Sequence, residues 1–204
     1  MNINVLKFGG TSMNDHQTWK RVLDIIRSYE YPVVVVSATA RTTRKLLEAG
    51  KLAAGGDLTG AKKIAEEIYD RHYELVKNFL DENPHKKNQL ILESCDKKLD
   101  EKTGLLKKYL DYTAKTGSLE PKMSDAIASI GEQISSYLLA QCGLALDILT
   151  QHIEAKKLIK TDHQYGSANP NRMLISQKCG SLETVLESGF TPVIGGFYGE
   201  APDG

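Results

Sequence analysis

The chain has 204 residues, of which 41% are hydrophobic and 25% charged, the balance of an ordinary soluble globular domain. Lysine plus arginine equals aspartate plus glutamate at 26 each, so no net field calls for nucleic acid or an anionic membrane surface. The three cysteines, Cys95, Cys142 and Cys179, are scattered and lack a Cys-x-x-Cys, which argues against a disulfide framework or zinc site and fits a reducing cytosol.

No basic region followed by an apolar core opens the chain, and no apolar run approaches the roughly 20 residues of a membrane span. "INVLKF" reads as a short buried strand. The stretch "NDHQTWKRVLDIIRSYE" places Trp19, Val22, Leu23 and Ile26 at helical spacing, with Asn14 or Asp15 as the cap. "YPVVVVSA" is a β-branched run of the kind found in a parallel sheet covered on both faces. Strand, helix and strand within about 35 residues make a βαβ unit.

Residues 43–112 are rich in Lys, Glu and Leu, and Ile68, His72, Leu75, Val76 and Phe79 share one helical face. "DENPHKKNQ" breaks the pattern at Pro84, and a second helix follows through Leu99, Leu106 and Leu110. The segment is expected to be a helical hairpin inserted between sheet elements. A loop over 115–121 leads to the helix "KMSDAIASIGEQISSYLLAQCG", with Met123, Ile127, Ile130, Ile134, Tyr137 and Leu138 toward the core. Strands are expected again at "LALDILT" and "FTPVIGGFYG", with a helix near 178–188 between them. Strands alternating with helices indicate an α/β layered sheet. The histidines show no metal-ligand spacing and read as surface or packing residues, and Glu66–Glu67 reads as a solvated helix face.

The stretch "VLKFGGTSM" combines a strand end, a cation and a bare backbone turn. Glycines let the backbone approach an anion closely, and N–H groups there and at the next helix start are able to point at it. Lys7 adds a compact positive charge. The order of residues is neither a Walker A loop nor a dinucleotide fingerprint. From residue types alone, a phosphate cradle and a tight strand–helix turn with an exposed lysine stand equally open.

"KFGGTS" resembles the N-terminal signature of the aspartate kinases, within the amino-acid kinase family. "VVVVSATARTT" is similar to the family's second strand and Ser-Ala loop, and "SIGEQISSYLLA" to its Ser-x-Gly-Glu helix. "EAKKLIKTDHQYGSA" and "TPVIGGFYGEAPDG" resemble two later segments, so five stretches in family order span the chain. The resemblance implies a three-layer α/β/α sandwich with a mainly parallel sheet, carrying the helical insertion. It implies ATP-dependent phosphorylation of the β-carboxylate of L-aspartate to 4-phospho-L-aspartate, the first step toward lysine, threonine and methionine. ATP and Mg2+ would be the cofactors, the cytoplasm the location and a homodimer the assembly.

By the resemblance, Lys7, Gly9 and Gly10 hold the ATP phosphates, with Lys7 catalytic through charge stabilisation. Ser37 lies at the mouth of the site, where it could also cap the next helix. Thr43 and Glu132 match positions that contact the amino acid. A carboxylate on an otherwise apolar helix is costly unless exposed or paired, either with the substrate ammonium or with a structural cation. Tyr165 stands for the family's phenylalanine beside the substrate, or is a plain core aromatic.

Two departures lie beside the site: Arg41 stands where glycine is usual and Arg44 where Asn or Asp is usual. The chain ends at "GEAPDG", ahead of the family's Thr-Thr-Leu-Gly-Arg-Gly-Gly-Ser-Asp segment, so Asp203 is not that segment's catalytic aspartate. The expectation is that residues 1–204 are the N-terminal, amino-acid-binding portion of a kinase domain, inactive alone, with no regulatory ACT domain. Two other readings stand beside it: a non-catalytic amino-acid-binding or dimerising lobe, and a related kinase with another acidic substrate.

Overall fold

The computed structural model describes residues 1–203. Four parallel strands form one sheet in the order β1-β2-β4-β3: β1 (Asn4–Phe8), β2 (Pro32–Val36), β3 (Thr150–Ile153) and β4 (Thr191–Gly195). Register pairs Leu6 with Val34, Phe8 with Val36, and Val34 with Val193. Strand alternation then sends these residues to one face. That face carries the larger core, with Trp19, Leu23, Phe79, Leu99 and Ile130 fully buried against it. Val33 and Ile194 point the other way and meet a smaller cluster around Ala155, Leu158, Leu182 and Leu186. The sheet is therefore covered by helices on two sides, the three-layer α/β/α arrangement expected.

Helix α1 (His16–Arg27) connects β1 to β2 and buries Trp19, Val22, Leu23 and Ile26, the spacing read from the sequence. Of the two candidate caps, Asp15 does the work. Its carboxylate accepts from the Thr18 N–H, while the Thr18 hydroxyl accepts from the Asp15 N–H. Such a reciprocal cap stabilises a helix by about 1 kcal/mol.

The helical segment after β2 is larger than a hairpin. It comprises α2 (Thr42–Ala54), α3 (Leu58–Glu82) and α4 (Asn88–Thr116), which pack with α5 (Pro121–Leu144). The missed break is the Gly55–Gly56–Asp57 turn, where Asp57 caps α3 through the Gly60 N–H. Pro84 does separate α3 from α4, and Ile68, His72, Leu75, Val76 and Phe79 are all buried. Glu66 and Glu67 lie on the outer face, paired with Lys107 and Lys45.

The strand expected at "LALDILT" is a correction. Leu144 still belongs to α5, and residues 145–149 form a turn with Asp147 in the left-handed region at φ 55°. The strand begins at Thr150, whose hydroxyl donates to the Ala140 carbonyl at 2.6 Å. Its sequence, Thr-Gln-His-Ile, has little apolar content because β3 lies at the sheet edge. After it comes the short helix α6 (Ala155–Leu158). The helix expected near 178–188 is α8 (Ser181–Glu187), and a further helix, α7 (Arg172–Cys179), precedes it, divided from it at Gly180. The chain then returns so that β4 slots between β2 and β3. Among the described residues no helix is long and apolar enough to cross a membrane.

Candidate active site

All four strands run the same way, so their carboxyl ends meet along one edge, where ligands of parallel α/β sheets bind. Gly9 and Gly10 follow β1, Ser37 follows β2, and Gly196 and Phe197 follow β4. A cavity of about 380 Å³ opens there, lined by Gly10, residues 37–41, Thr43, Arg44, Glu132 and Phe197.

Glu132 comes from α5 and is only 6% exposed. Gly131 lets α5 come this close: a Cβ on it would lie 3.0 Å from the Ala38 Cβ and 3.2 Å from the Leu46 Cδ1 and Thr42 Cγ2. The Glu132 carboxylate accepts from the Phe197 N–H at 2.5 Å. Burial pushes its pKa up to about 7, against the pull of the Phe197, Ala38 and Gly196 N–H groups and the Lys7 charge. No lysine or arginine within 4 Å pairs with it among the described residues. The carboxylate is thus held ready by backbone donors and left without a cationic neighbour in contact. A ligand ammonium would supply that partner.

Ser37 sits at the cavity mouth, its carbonyl accepting from the Ser135 hydroxyl of α5 at 2.9 Å. Thr43 lies in the first turn of α2 and lines the cavity wall. Lys7 and Gly9 are exposed at the rim, next to rather than in the cavity lining. No atom lies within 4 Å of the position a Gly9 Cβ would take, so this turn is open to a bulky anion. Tyr165 is placed elsewhere. Its hydroxyl donates to Asp203 and its ring lies 5.4 Å from the Lys122 Nζ, in a separate hollow with Pro121 and His163. The structure therefore joins Gly10, Ser37, Thr43 and Glu132 in one cleft, sets Lys7 and Gly9 beside it, and leaves Tyr165 apart.

Sequence reasoning missed the Phe197 N–H and the loop Thr39–Ala40, both of which line the cleft. It did single out Arg41 and Arg44, and both line the cavity rather than turning away. Arg41 adopts φ 68°, the left-handed conformation in which glycine carries no Cβ penalty. Among the described residues no group of three or more acidic, histidine or cysteine side chains converges as a metal site.

A parallel sheet wrapped by helices, with its cleft at the strand ends, a glycine turn on the first strand and a buried carboxylate opposite, defines a small-molecule site of the α/β class. The chain belongs to the Amino acid kinase family, whose profile matches residues 2–204. It is 28% identical over 200 residues to an aspartokinase of Chlamydia muridarum, covering 98% of this chain and 40% of that protein. Its fold is similar to that of Escherichia coli aspartokinase III solved with lysine and aspartate, with TM-score 0.81 and 24% identity over 99% of this chain and 42% of the other. The same enzyme solved with aspartate and ADP gives TM-score 0.80 at 24% identity, with the same shares covered. The chain spans about two fifths of the length of these relatives.

Proposed function

We propose that the protein acts as an aspartate kinase, transferring the γ-phosphoryl group of ATP to the β-carboxylate of L-aspartate. One observation carries the reading: the Glu132 carboxylate, 6% exposed, faces a cavity also lined by Ser37 and Thr43 and has, among the described residues, only backbone donors for partners. An α-amino acid brings the ammonium that such a carboxylate lacks. In the same reading residues 1–204 are the amino-acid-binding portion of the kinase domain, and the helices of 43–112 are an insertion that covers it. The complete protein is a cytoplasmic homodimer supplying the first step of lysine, threonine and methionine synthesis.

The chemistry asks little of side chains beyond charge and alignment. A carboxylate is already ionised at neutral pH, so one of its oxygens attacks phosphorus without a general base. The bond from phosphorus to the bridging oxygen breaks and ADP leaves with its electron pair. Lys7 and the turn at Gly9 fit the crowded phosphate oxygens, since there is room at Gly9 and a cation at the edge of the turn. Kinases carry Mg2+ on the nucleotide phosphates themselves, where it neutralises developing charge. Glu132, Ser37 and Thr43 hold and orient the amino acid, which converts binding into alignment.

Formation of an acyl phosphate, trapped with hydroxylamine, tests the proposal. The complete protein should make an aspartate-dependent hydroxamate with ATP and Mg2+, and its Lys7→Ala variant should lose it. A folded, complete protein that makes no such product with aspartate, yet does so with glutamate or acetylglutamate, would overturn the substrate assignment.

A further inference from the structure

Helix α3 lines no part of the cleft, yet two consecutive residues on it reach the cleft loop from behind. We infer that His72 and Arg71 are positioning residues, which set the 38–42 loop in the form that receives the amino acid. This rests on reading the cleft as the amino-acid site.

His72 is fully buried, with Nδ1 2.6 Å from the Ile68 carbonyl and Nε2 2.8 Å from the Thr39 hydroxyl. The Thr39 hydroxyl lies 2.5 Å from that of Thr42, and both threonines are 1% exposed. The carbonyl only accepts, so Nδ1 carries the proton and Nε2 is the acceptor. The Thr39 hydroxyl must then donate to His72 and accept from Thr42. The order of donors is thereby fixed along the whole chain of bonds. Burial holds the imidazole neutral, its pKa lowered to about 4, as this order requires.

Arg71 acts on the next residue of the loop. Its Nη1 donates to the Ala40 carbonyl at 2.6 Å and its Nη2 to the Asn14 carbonyl at 3.4 Å. One side chain thus ties the loop after β2 to the turn after β1. The Ala40 carbonyl belongs to the peptide that enters Arg41, the residue held left-handed at φ 68°. Thr43 and Arg44 follow directly in the first turn of α2, on the cavity wall.

Simple packing does not account for these residues. His72 shares its helix face with Ile68, Leu75, Val76 and Phe79, where a leucine would fill space with no polar atom to satisfy. Both imidazole nitrogens are satisfied here, and the outward one only by the loop.

The test uses the complete protein with His72→Leu, His72→Gln and Thr39→Val. Steady-state kinetics with aspartate and ATP are read beside amide hydrogen exchange over residues 37–43. A buried hydroxyl or imidazole losing its partner is expected to raise the KM for aspartate about ten-fold. The KM for ATP should stay within about two-fold, because Lys7 and Gly9 lie outside the cavity lining that this loop forms. Loop amides should exchange faster in His72→Leu and Thr39→Val, and His72→Gln should recover most of both effects. Thr39→Val cuts the same bond from the loop side with little change of shape, so it decides the matter if His72→Leu fails to fold. Unchanged loop exchange in a folded Thr39→Val or His72→Leu protein overturns the inference, as does an equal rise in both KM values. The exchange readout needs no ligand. Absence of aspartate turnover in the parent would defeat the kinase reading and leave the loop result to decide this one.

Discussion

The buried carboxylate of Glu132 gives a prediction about pH and binding together. Its ordinary value of 4.5 is raised to about 7 by burial, so near neutrality it is about half protonated in the empty site. An ammonium group placed against it favours the ionised form and draws the pKa back down. If pairing restores the ordinary value, the gap between 4.5 and about 7 corresponds to about 3 kcal/mol of coupling, or roughly 300-fold in affinity. The full coupling is felt only above the empty-site value, since at lower pH binding must first remove a proton. Between about pH 5.5 and 8 the dissociation constant for aspartate should therefore fall about thirty-fold, with proton release on binding near pH 6. Isothermal titration of the complete protein in two buffers of different ionisation enthalpy measures both quantities. The Glu132→Gln variant should bind weakly and show a flat profile over the same range. A flat profile in the parent, or the parent's slope persisting in Glu132→Gln, would refute the reasoning.

Three further outcomes follow from the same geometry. Gly131→Ala gains helix propensity but drives a Cβ to 3.0 Å from the Ala38 Cβ, so it should destabilise by about 1–2 kcal/mol in urea unfolding. Arg41→Gly relieves the left-handed backbone at φ 68° and should stabilise by about 1 kcal/mol, read as a higher melting temperature. Buried His72 and half-buried His152 both have pKa values lowered to about 4, so the unfolded chain binds more protons between about pH 4 and 6.5 and stability rises with pH there. Glu132 acts with the opposite sign: the folded state holds its proton up to about pH 7, and that contribution is lost as pH rises from 4.5. Denaturant titrations should accordingly show a steeper rise from about pH 4.5 to 6.5 in Glu132→Gln than in the parent, and a shallower one in His72→Gln.

What the sequence revealed of the fold depended on periodicity. Trp19, Val22, Leu23 and Ile26 mark one face of α1, and four consecutive valines mark the inner strand β2, because burial on one or both sides dictates those patterns. The edge strand β3 carries no such mark, so the more apolar "LALDILT" upstream of it attracted the assignment. Helix α7 has no fully buried residue and left no stripe to follow. Within the site, Glu132 was legible through its place in the Ser-x-Gly-Glu pattern, and a carboxylate on an otherwise apolar helix agreed with that reading. His72 was not, since its position on the helix face looked like any core position and its partner Thr39 lies 33 residues away in sequence. The Phe197 donor is a backbone group, and sequence carries no signal for where an N–H points.

The strand order has a consequence for how the protein reaches its native state. Strand β4 lies between two that precede it in the chain, β2 and β3. Until it docks, both neighbours present open edges capable of pairing with another chain. Docking must also close a span of more than 150 residues back to β2, the kind of distant pairing that slows assembly. The same event delivers Phe197 to Glu132 and to the cleft lining. Chains that stall before this step would be both unable to bind and prone to self-association, so a ligand that binds the finished cleft should also raise the yield of soluble protein on refolding.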